Sequence, residues 1–336
     1  MRNRLGLVAR LGLIAVLVLG WLLPAGVSAA DWLRSGVNTD RPEWGIAGGL
    51  HWAIFPGSGT GNASVGGPRG LIRLAAPCLK GGKYKLVNWL AVEPKVVGGP
   101  RGFSELEHSH TDGKAGKCMV VEGAAAGVVT TPAAGVEELS VVVGVERFNN
   151  GAAVSLTVSQ RSDRPEEIAI SVHAGPGGRH IEECVITATC GNKTRSRLLF
   201  LGDGRASSLL LWPTYRAAQF APDQFFSGAR MLRDADRSRL VAITTDEKEP
   251  RTVHPKDTRW YYGGQPITQY WRVPEERQPD RVRVRVNGRA MYWATRENVP
   301  GGIAFENFEI RQPWVDGQTI GFGISLRNPR ELGFPE

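Results

Sequence analysis

Apolar and polar residues alternate over short stretches along most of the chain, and turns rich in glycine, proline or asparagine separate these stretches. Seven such stretches lie between residues 139 and 245, with turns at 149–151, 175–178 and 202–204. A period of two indicates antiparallel strands that bury one face. Long amphipathic helices do not alternate with the strands, and we expect at most one short helix, near 222–232. The pattern predicts an all-β fold, an antiparallel β-sandwich or its larger supersandwich form.

One hairpin is predicted in detail near the C-terminal end. Arginine and valine alternate over 281–286, and Asn287-Gly288 follow, a pair that type I′ turns prefer because both central residues need a positive φ. Pairing across this turn places the valines on the core face. Arg283 and Arg285 then lie on the other face, with Arg283 opposite Tyr292.

A second hairpin is predicted from strands at 303–310 and 319–324, which an Asp-Gly turn joins. Its two glutamates, Glu306 and Glu309, are candidates to neutralise the arginines of the first hairpin. This expectation brings acidic and basic side chains together on neighbouring strands.

Arg283 and Arg285 have two interpretations. Structurally, charged side chains on an exposed strand prevent edge-to-edge pairing with another sheet. Functionally, a row of guanidinium groups offers bidentate donors that match carboxylate or sulfate groups on a sugar chain. The sequence leaves both interpretations open, and the second makes these arginines candidate ligand-binding residues.

The first thirty residues have the pattern of a secretory signal. Three arginines precede an apolar run at 11–23, and small residues follow it. The run is 13 residues long, shorter than the ~20 that a membrane-spanning helix needs, so an N-terminal anchor is the weaker alternative. We expect removal of residues 1–30 by cleavage after Ala29 or Ala30. The remaining chain is then a secreted or periplasmic protein without stable membrane insertion.

Composition and charge narrow the choice of partners. The chain has 336 residues, of which 42 are glycine, 21 are proline and 42% are hydrophobic, a globular composition rich in turns. We expect 31–336 to form one large β-sandwich domain, with a sub-boundary near 130–136. The net charge of +8 falls to +5 when three arginines leave with the signal. Because no zinc-finger or RNA-binding motif appears, we do not expect a nucleic-acid partner. An anionic polysaccharide suits a basic exported protein, although a charge of +5 is also ordinary for a soluble one.

Export would place the cysteines of this chain in an oxidising compartment, where disulfides form. The four are Cys78, Cys118, Cys184 and Cys190. Cys184 and Cys190 are separated by extended chain and are too distant for a bridge unless a turn intervenes. Cys78 with Cys118 is the better candidate disulfide, and buried free thiols are the alternative for all four. Their spacing fits no zinc site, and the sequence predicts no cofactor.

The densest group of aromatic residues lies at 260–272. Flat rings beside hydrogen-bonding side chains are typical of carbohydrate sites, because a sugar ring has an apolar face and a polar rim. A buried aromatic corner of the sandwich is an equal alternative. His254, shortly before this segment, is a further candidate base. The candidate glycan-binding residues are Trp260, Tyr262, Gln269, Tyr270, Trp271 and Arg272.

A polar loop at 101–113 gives a second candidate site. On an extended chain its two glutamates point to one side, and its histidines and aspartate point to the other. A glutamate can serve as a general acid or base, and two imidazoles with a carboxylate can bind a metal ion. A solvent-exposed loop is the alternative. The candidates are Glu105 and Glu107 as catalytic groups, and His108, His110 and Asp112 as metal ligands.

The hexapeptide Val-Gly-Gly-Pro-Arg-Gly occurs twice, at 65–70 and 97–102. Glycine permits unusual backbone angles and proline fixes its own φ, so the repeat predicts two turns of similar geometry. Each turn would present an arginine, Arg69 or Arg101. Coincidence of turn chemistry is the alternative.

Segments 86–94, 101–107, 186–192 and 268–272 resemble exported bacterial β-rich proteins of unassigned function, which are abundant in polysaccharide-degrading environmental bacteria. This resemblance implies export and a polysaccharide setting, and it implies no catalytic residue. A broader likeness to the β-supersandwich of galactose-mutarotase-like and polysaccharide-lyase domains concerns architecture only.

Together these features predict a secreted β-sandwich protein that binds a glycan, anionic glycans included, either with or without processing it. A non-catalytic structural or interaction module of the cell envelope is the first alternative. A metal-dependent hydrolase, resting on His108 and His110, is the second.

Overall fold

The computed structural model describes residues 29–35, 42–54, 70–105, 119–190, 195–247, 266–275, 279–292 and 296–336. Strands make up 55% of the structure and helices 4%, in two large antiparallel sheets. This confirms the predicted all-β sandwich. Within the described ranges, no helix is long and apolar enough to span a membrane.

The described residues form twenty strands, which make up the two sheets, and one short α-helix. In chain order they are β1 (Trp32–Leu33), β2 (Glu43–Ile46), β3 (His51–Ala53), β4 (Leu71–Leu79), β5 (Lys83–Val96), β6 (Met119–Glu122), β7 (Val128–Ala133), β8 (Val136–Val145), β9 (Val154–Arg161), β10 (Glu167–Ala174), β11 (Ile181–Thr189), β12 (Ser196–Leu201), β13 (Gly204–Ser207), α1 (Ser208–Leu211), β14 (Gln224–Ser227), β15 (Leu232–Arg233), β16 (Arg239–Thr245), β17 (Thr268–Val273), β18 (Arg283–Arg289), β19 (Ala304–Arg311) and β20 (Gln318–Ser325).

The first sheet has nine strands in the order β1-β2-β3-β4-β5-β11-β19-β18-β14. The second has eleven strands, with the order β13-β12-β16-β17-β20-β10-β9-β8-β6, and with β15 beside β16 and β7 beside β8. Because β11 lies next to β5 and β19 lies next to β11, the first sheet combines strands that are far apart in sequence. This arrangement sets side chains from β5, β11, β19 and β18 side by side.

The core lies between the inner faces of the two sheets. Alternate residues of each strand enter it, as Leu90 and Val92 do on β5, and Phe308 and Ile310 on β19. The indole N–H of Trp271 on β17 crosses this layer and donates to the carbonyl of Phe308 at 2.9 Å. Burial of this continuous apolar layer stabilises the sandwich, since each square ångström of apolar surface that is removed from water contributes to the free energy of folding.

The predicted Asn287-Gly288 turn is wrong. Both residues lie inside β18, which pairs with β19 on one side and β14 on the other, and the register shifts between Val286 and Gly288 as in a β-bulge. Gly288 is needed here for close approach rather than for a positive φ, because an added Cβ would lie 2.6 Å from the carbonyl oxygen of Ala304. The predicted pairing of Arg283 with Tyr292 is therefore also wrong, and Arg283 pairs with Arg311.

The predicted orientation of the side chains in β18 is nevertheless confirmed. Val282, Val284 and Val286 are buried in the core, and Arg285 points to the other face of the sheet. The second predicted hairpin does not form, because β19 belongs to the nine-stranded sheet and β20 pairs with β17 and β10 in the other. The Asp-Gly segment between them therefore connects two sheets.

Four further predictions concern a short helix, a domain boundary, a disulfide and the signal segment. The segment 222–232 contains β14 and a 3-10 turn at Gly228–Arg230, and the α-helix lies earlier, at Ser208–Leu211. The segment 130–136 lies in the hairpin of β7 and β8. The side chains of Cys78, Cys184 and Cys190 are buried. Cys118, the expected partner of Cys78, and the signal segment 1–28 lie outside the described residues.

Candidate functional site

A cluster of charged side chains lies on the outer face of the nine-stranded sheet, the face directed away from the core. We call it the acid–arginine cluster, and its members are Glu93, Arg101, Glu105, Arg285 and Glu309. The carboxylates of Glu93 and Glu309 are almost inaccessible, with 3% and 1% exposure. Charged groups in such a position are costly unless they are paired, so their mutual geometry is informative.

The chain beyond β5 turns back to place two members of the cluster. Gly102 donates its N–H to the carbonyl of Pro94, and Ser104 donates to that of Val92, so the segment 101–104 runs antiparallel beside the end of β5. The Ser104 hydroxyl accepts from the Val92 N–H at 3.0 Å and donates to the carbonyl of Gly70. This extension of the sheet positions Arg101 and Glu105 next to Glu93.

Gly102 has a steric role in this turn. A Cβ at this position would lie 2.6 Å from the Phe148 ring, so a larger residue would push the segment away from the core. The second copy of the repeated hexapeptide thus forms a turn with Gly98 at φ +68°, and its arginine enters the cluster. Arg69, the equivalent residue of the first copy, lies outside the described residues.

Arg101 joins two carboxylates. Its Nη1 lies 2.6 Å from Oε2 of Glu93 and 3.6 Å from Oε2 of Glu309. Since Glu93 is on β5 and Glu309 on β19, this guanidinium spans the width of the intervening strand β11. It holds two acidic groups at a distance at which their repulsion would otherwise be large.

Arg285 approaches Glu309 from the opposite side. It forms an ion pair with Glu309 Oε1, and its Nη2 lies 2.7 Å from Oδ1 of Asp223. The Thr187 hydroxyl on β11 donates to Glu309 Oε1 at 3.1 Å. Glu309 therefore neutralises an arginine of β18, as the sequence predicted, and it also receives a hydroxyl.

Two carboxyl groups of the cluster have strongly raised pKa values. The pKa of Glu93 is raised to about 8, mainly by burial and then by Glu309 and Glu105, against the opposing charge of Arg101. The pKa of Glu105 is raised to about 7, mainly by burial and in smaller part by Glu309. Near neutral pH, both groups therefore exchange a proton readily, which is the condition for general acid–base chemistry.

One oxygen of Glu105 has a special position. Its Oε2 is buried and has no hydrogen-bond partner within the part of the chain that the structure describes. Buried carboxylate oxygens are normally hydrogen-bonded, and exceptions are frequent where a ligand or water completes the site. Oε2 of Glu309 and Nε of Arg285 are likewise buried without a hydrogen bond in the described chain, so Glu105 is one of three such cluster members.

The cluster becomes more exposed toward β14, at the edge of the sheet. Asp223 is 37% exposed, the Phe225 ring is 45% exposed and Arg283 is exposed. The guanidinium of Arg311 lies 5.9 Å from the centre of the Phe225 ring. An aromatic ring and several arginines therefore lie at the exposed side of the cluster.

The predicted aromatic site is divided between two faces of β17. Trp271 is fully buried in the core, and its ring centre lies 4.6 Å from that of Phe322. Gln269 is also buried there and accepts a hydrogen bond from the side-chain amide of Asn88. These positions correct the expectation that Trp271 and Gln269 present groups to a glycan, since neither side chain is accessible.

Tyr270 and Arg272 occupy the outer face of the eleven-stranded sheet. Tyr270 is 2% exposed, and the Arg272 Nε lies 2.8 Å from Glu167 Oε2. They lie on the sheet opposite to the acid–arginine cluster, so the structure does not combine the two predicted sites into one. The predicted residues Trp260, Tyr262, His254, Glu107, His108, His110 and Asp112 lie outside the described residues.

Sequence reasoning missed Glu93 and Glu309 as site residues. Glu93 follows the mostly apolar run 86–92 of β5, which is buried on both faces, and an isolated acid after such a run is a usable signal. Glu309 was expected only to neutralise arginines. Its contact with Arg101 depends on the order of strands in the sheet, which alternation along one strand does not reveal.

Two further observations complete the description. Among the described residues, no group of three or more histidine, cysteine, aspartate or glutamate side chains is arranged to hold a metal ion. Comparison with known proteins found no matching family model and no similar curated protein. The function of the protein is therefore inferred from the positions and contacts of the cluster residues.

Proposed function

We propose that this protein is exported and that it binds and processes a polysaccharide by acid–base chemistry at the acid–arginine cluster. The observation that carries the proposal is that the carboxyl groups of Glu93 and Glu105 lie buried beside Arg101, and burial raises their pKa values to about 8 and about 7. Carboxyl groups with pKa values near the working pH are typical of acid–base sites, because they can both donate and accept a proton.

The two groups suit different roles. Glu93 has the higher pKa and is hydrogen-bonded by Arg101, so it holds its proton at neutral pH and orients the neighbouring groups. Glu105 has the lower pKa and the unpartnered buried oxygen, so it is the group that transfers a proton to or from a substrate. Arg101 and Arg285 are the donors that would stabilise negative charge on the substrate.

The open side of the cluster supports a sugar ligand. The half-exposed Phe225 ring offers an apolar surface, and Asp223, Arg283 and Arg285 surround it with hydrogen-bonding groups. A pyranose has the matching distribution, with one apolar face and a rim of hydroxyl groups. The arginines extend the expected ligands to glycans that carry carboxylate or sulfate groups.

A structural role for the same residues is the competing account. The ion pairs of Arg101 fasten the segment 101–105 to the sheet, and a module without activity would also need that segment held. The two interpretations predict different effects of replacing the Glu105 oxygen that would transfer a proton. A structural role needs Arg101 and Glu93, whereas Glu105 contributes an oxygen that bonds to nothing in the described chain.

The test compares the purified protein with Glu105→Gln on a panel of neutral and anionic polysaccharides. Binding is measured by retention on immobilised glycan, and processing by the appearance of smaller products. We expect Glu105→Gln to retain binding and to lose processing by about 100-fold or more, the usual range for a general acid or base. Glu43→Gln, a partly buried glutamate on β2 of the same sheet, is the matched control and should retain both.

Two results would contradict the proposal. The first is a folded wild-type protein that neither binds nor processes any glycan of the panel. The second is a Glu105→Gln protein that processes glycan at the wild-type rate. Either result would favour the structural module.

A further inference from the structure

A cavity of about 530 Å³ lies on the outer face of the eleven-stranded sheet, on the side of the molecule opposite to the acid–arginine cluster. We call it the tail cavity, because the C-terminal tail forms one of its walls. Its size lies within the range of roughly 300–1,000 Å³ that is usual for small-molecule sites. Its main lining residues are Glu166, Asp234, Leu240, Tyr270, Arg272 and Arg327.

Several separate parts of the chain build this cavity. The floor comes from β16 and β17, one wall from the connection between β9 and β10, and the other wall from the tail after β20. The tail is fixed because Phe334 packs against Phe200, with ring centres 6.3 Å apart, and Leu332 joins the same apolar group. The cavity is thus a built concavity with a fixed wall.

Two glycines on β20 shape the floor. A Cβ on Gly323 would lie 2.0 Å from Cζ of Tyr270, and one on Gly321 would lie 2.5 Å from a carboxylate oxygen of Glu167. Glycine at both positions lets Tyr270 and Glu167 lie flat across the strand. The floor therefore presents an aromatic side chain and, beside it, Leu240, as a buried apolar surface.

The arginines that line the cavity are all in contact with carboxylates. Arg272 contacts Glu167 at 2.8 Å and Asp234 at 2.6 Å, and Arg327 forms an ion pair with Glu166. Each arginine therefore already has a carboxylate partner. A ligand with a net charge would have to break one of these pairs, whereas a neutral ligand with hydroxyl groups can add hydrogen bonds to paired charges without separating them.

We propose that the tail cavity is a second binding site, for a neutral saccharide. The donors and acceptors of the rim match the hydroxyl groups of a sugar, and Tyr270 and Leu240, which are 2% and 3% exposed, leave a small apolar surface beneath it. The site is independent of the acid–arginine cluster, because the two lie on the outer faces of different sheets. Its role is to hold a sugar unit, since the described lining contains no carboxyl group with a pKa raised into the neutral range.

The test measures binding of cellobiose, maltose and lactose to the purified protein by calorimetry, with glucuronic acid as the anionic comparison. We expect at least one neutral disaccharide to bind and glucuronic acid to bind more weakly. Leu332→Trp places a larger ring at the cavity wall and should weaken this binding at least tenfold. Leu326→Trp, on the same tail at an exposed position outside the cavity, is the matched control and should bind normally.

A second variant covers the case in which Leu332→Trp does not fold. Arg327→Ala removes an exposed rim group and should also weaken binding, while thermal unfolding changes little. Glu105→Gln should bind the disaccharide as the wild type does, which separates this site from the proposed processing site. The proposal is overturned if no neutral disaccharide binds or if both tail variants bind it normally.

Discussion

Arg101 reaches Glu309 across an intervening strand of the nine-stranded sheet, with its Nη1 3.6 Å from the Glu309 Oε2. The same guanidinium lies 2.6 Å from Glu93. One arginine from a turn thus compensates two buried acids on different strands. Loss of this arginine would leave both acids facing each other with Arg285 as the remaining described cation in contact with Glu309.

Arg101→Met should therefore destabilise the protein by about 1–3 kcal/mol, because it leaves the buried Glu93 carboxyl without its hydrogen bond from Arg101 and removes one of the two arginines that contact the buried Glu309. The measurement is chemical denaturation at neutral pH. Arg283→Met, on the exposed part of the same face, is the control, and its free energy of unfolding should stay within about 0.5 kcal/mol of the wild type. Equal stabilities of the two variants would mean that Arg101 does not hold the cluster together.

The raised pKa of Glu93 fixes the direction of a pH effect on stability. Its pKa is raised from 4.5 to about 8, so between these values the folded protein keeps a proton that the unfolded chain releases. The contribution of Glu93 to the free energy of unfolding therefore falls as pH rises through this interval. Glu93→Gln cannot ionise, and we expect its stability relative to the wild type to increase from pH 5 to pH 8. Denaturation curves at several pH values measure this difference, and parallel pH profiles would contradict it.

Trp271 is expected to behave as a core residue. Its ring is fully buried between the sheets and its N–H bonds to Phe308. Trp271→Ala should cost ~3–5 kcal/mol of stability, as truncation of a large buried side chain usually does. Leu210→Ala, at a position that is 81% exposed, should change the thermal unfolding temperature little. A Trp271→Ala protein as stable as the wild type would show that the ring is not part of the core.

Gly323 should be intolerant of a side chain because of Tyr270. The Cβ of Gly323→Ala would lie 2.0 Å from Cζ of Tyr270, so the ring has to move, at a cost of about 1–3 kcal/mol. In the background of Tyr270→Ala the same substitution should cost much less, since the obstacle is removed. A double-mutant cycle measures this coupling. Additive effects would show that Tyr270 does not lie across β20.

The sequence predicts the parts of this fold that depend on local patterns. Alternation identifies the strands, and it places the valines of β18 in the core and Arg285 on the outer face. It fails at Asn287-Gly288, because a glycine required for close approach to Ala304 looks the same as a glycine required for a turn. A single sequence does not separate these two uses of glycine.

The site was only partly predictable for a related reason. Glu105 and Arg285 are visible as candidates, because each stands in a polar or alternating segment. Their association with Glu93 and Glu309 requires the strand order β5-β11-β19-β18, in which residues about 200 positions apart become neighbours. Long-range pairing of this kind is set by the packing of whole sheets, and local alternation does not specify it.

The account depends most on the presence of carboxyl groups that are protonated near neutral pH on the outer face of the nine-stranded sheet. The direct measurement is an NMR titration of the glutamate side-chain carboxyl carbons in the intact protein. We predict carboxyl signals with midpoints near pH 7 and pH 8, of which one is lost in Glu105→Gln and the other in Glu93→Gln. A titration in which every glutamate carboxyl changes state below about pH 6, within the ordinary spread for this residue type, would contradict the account.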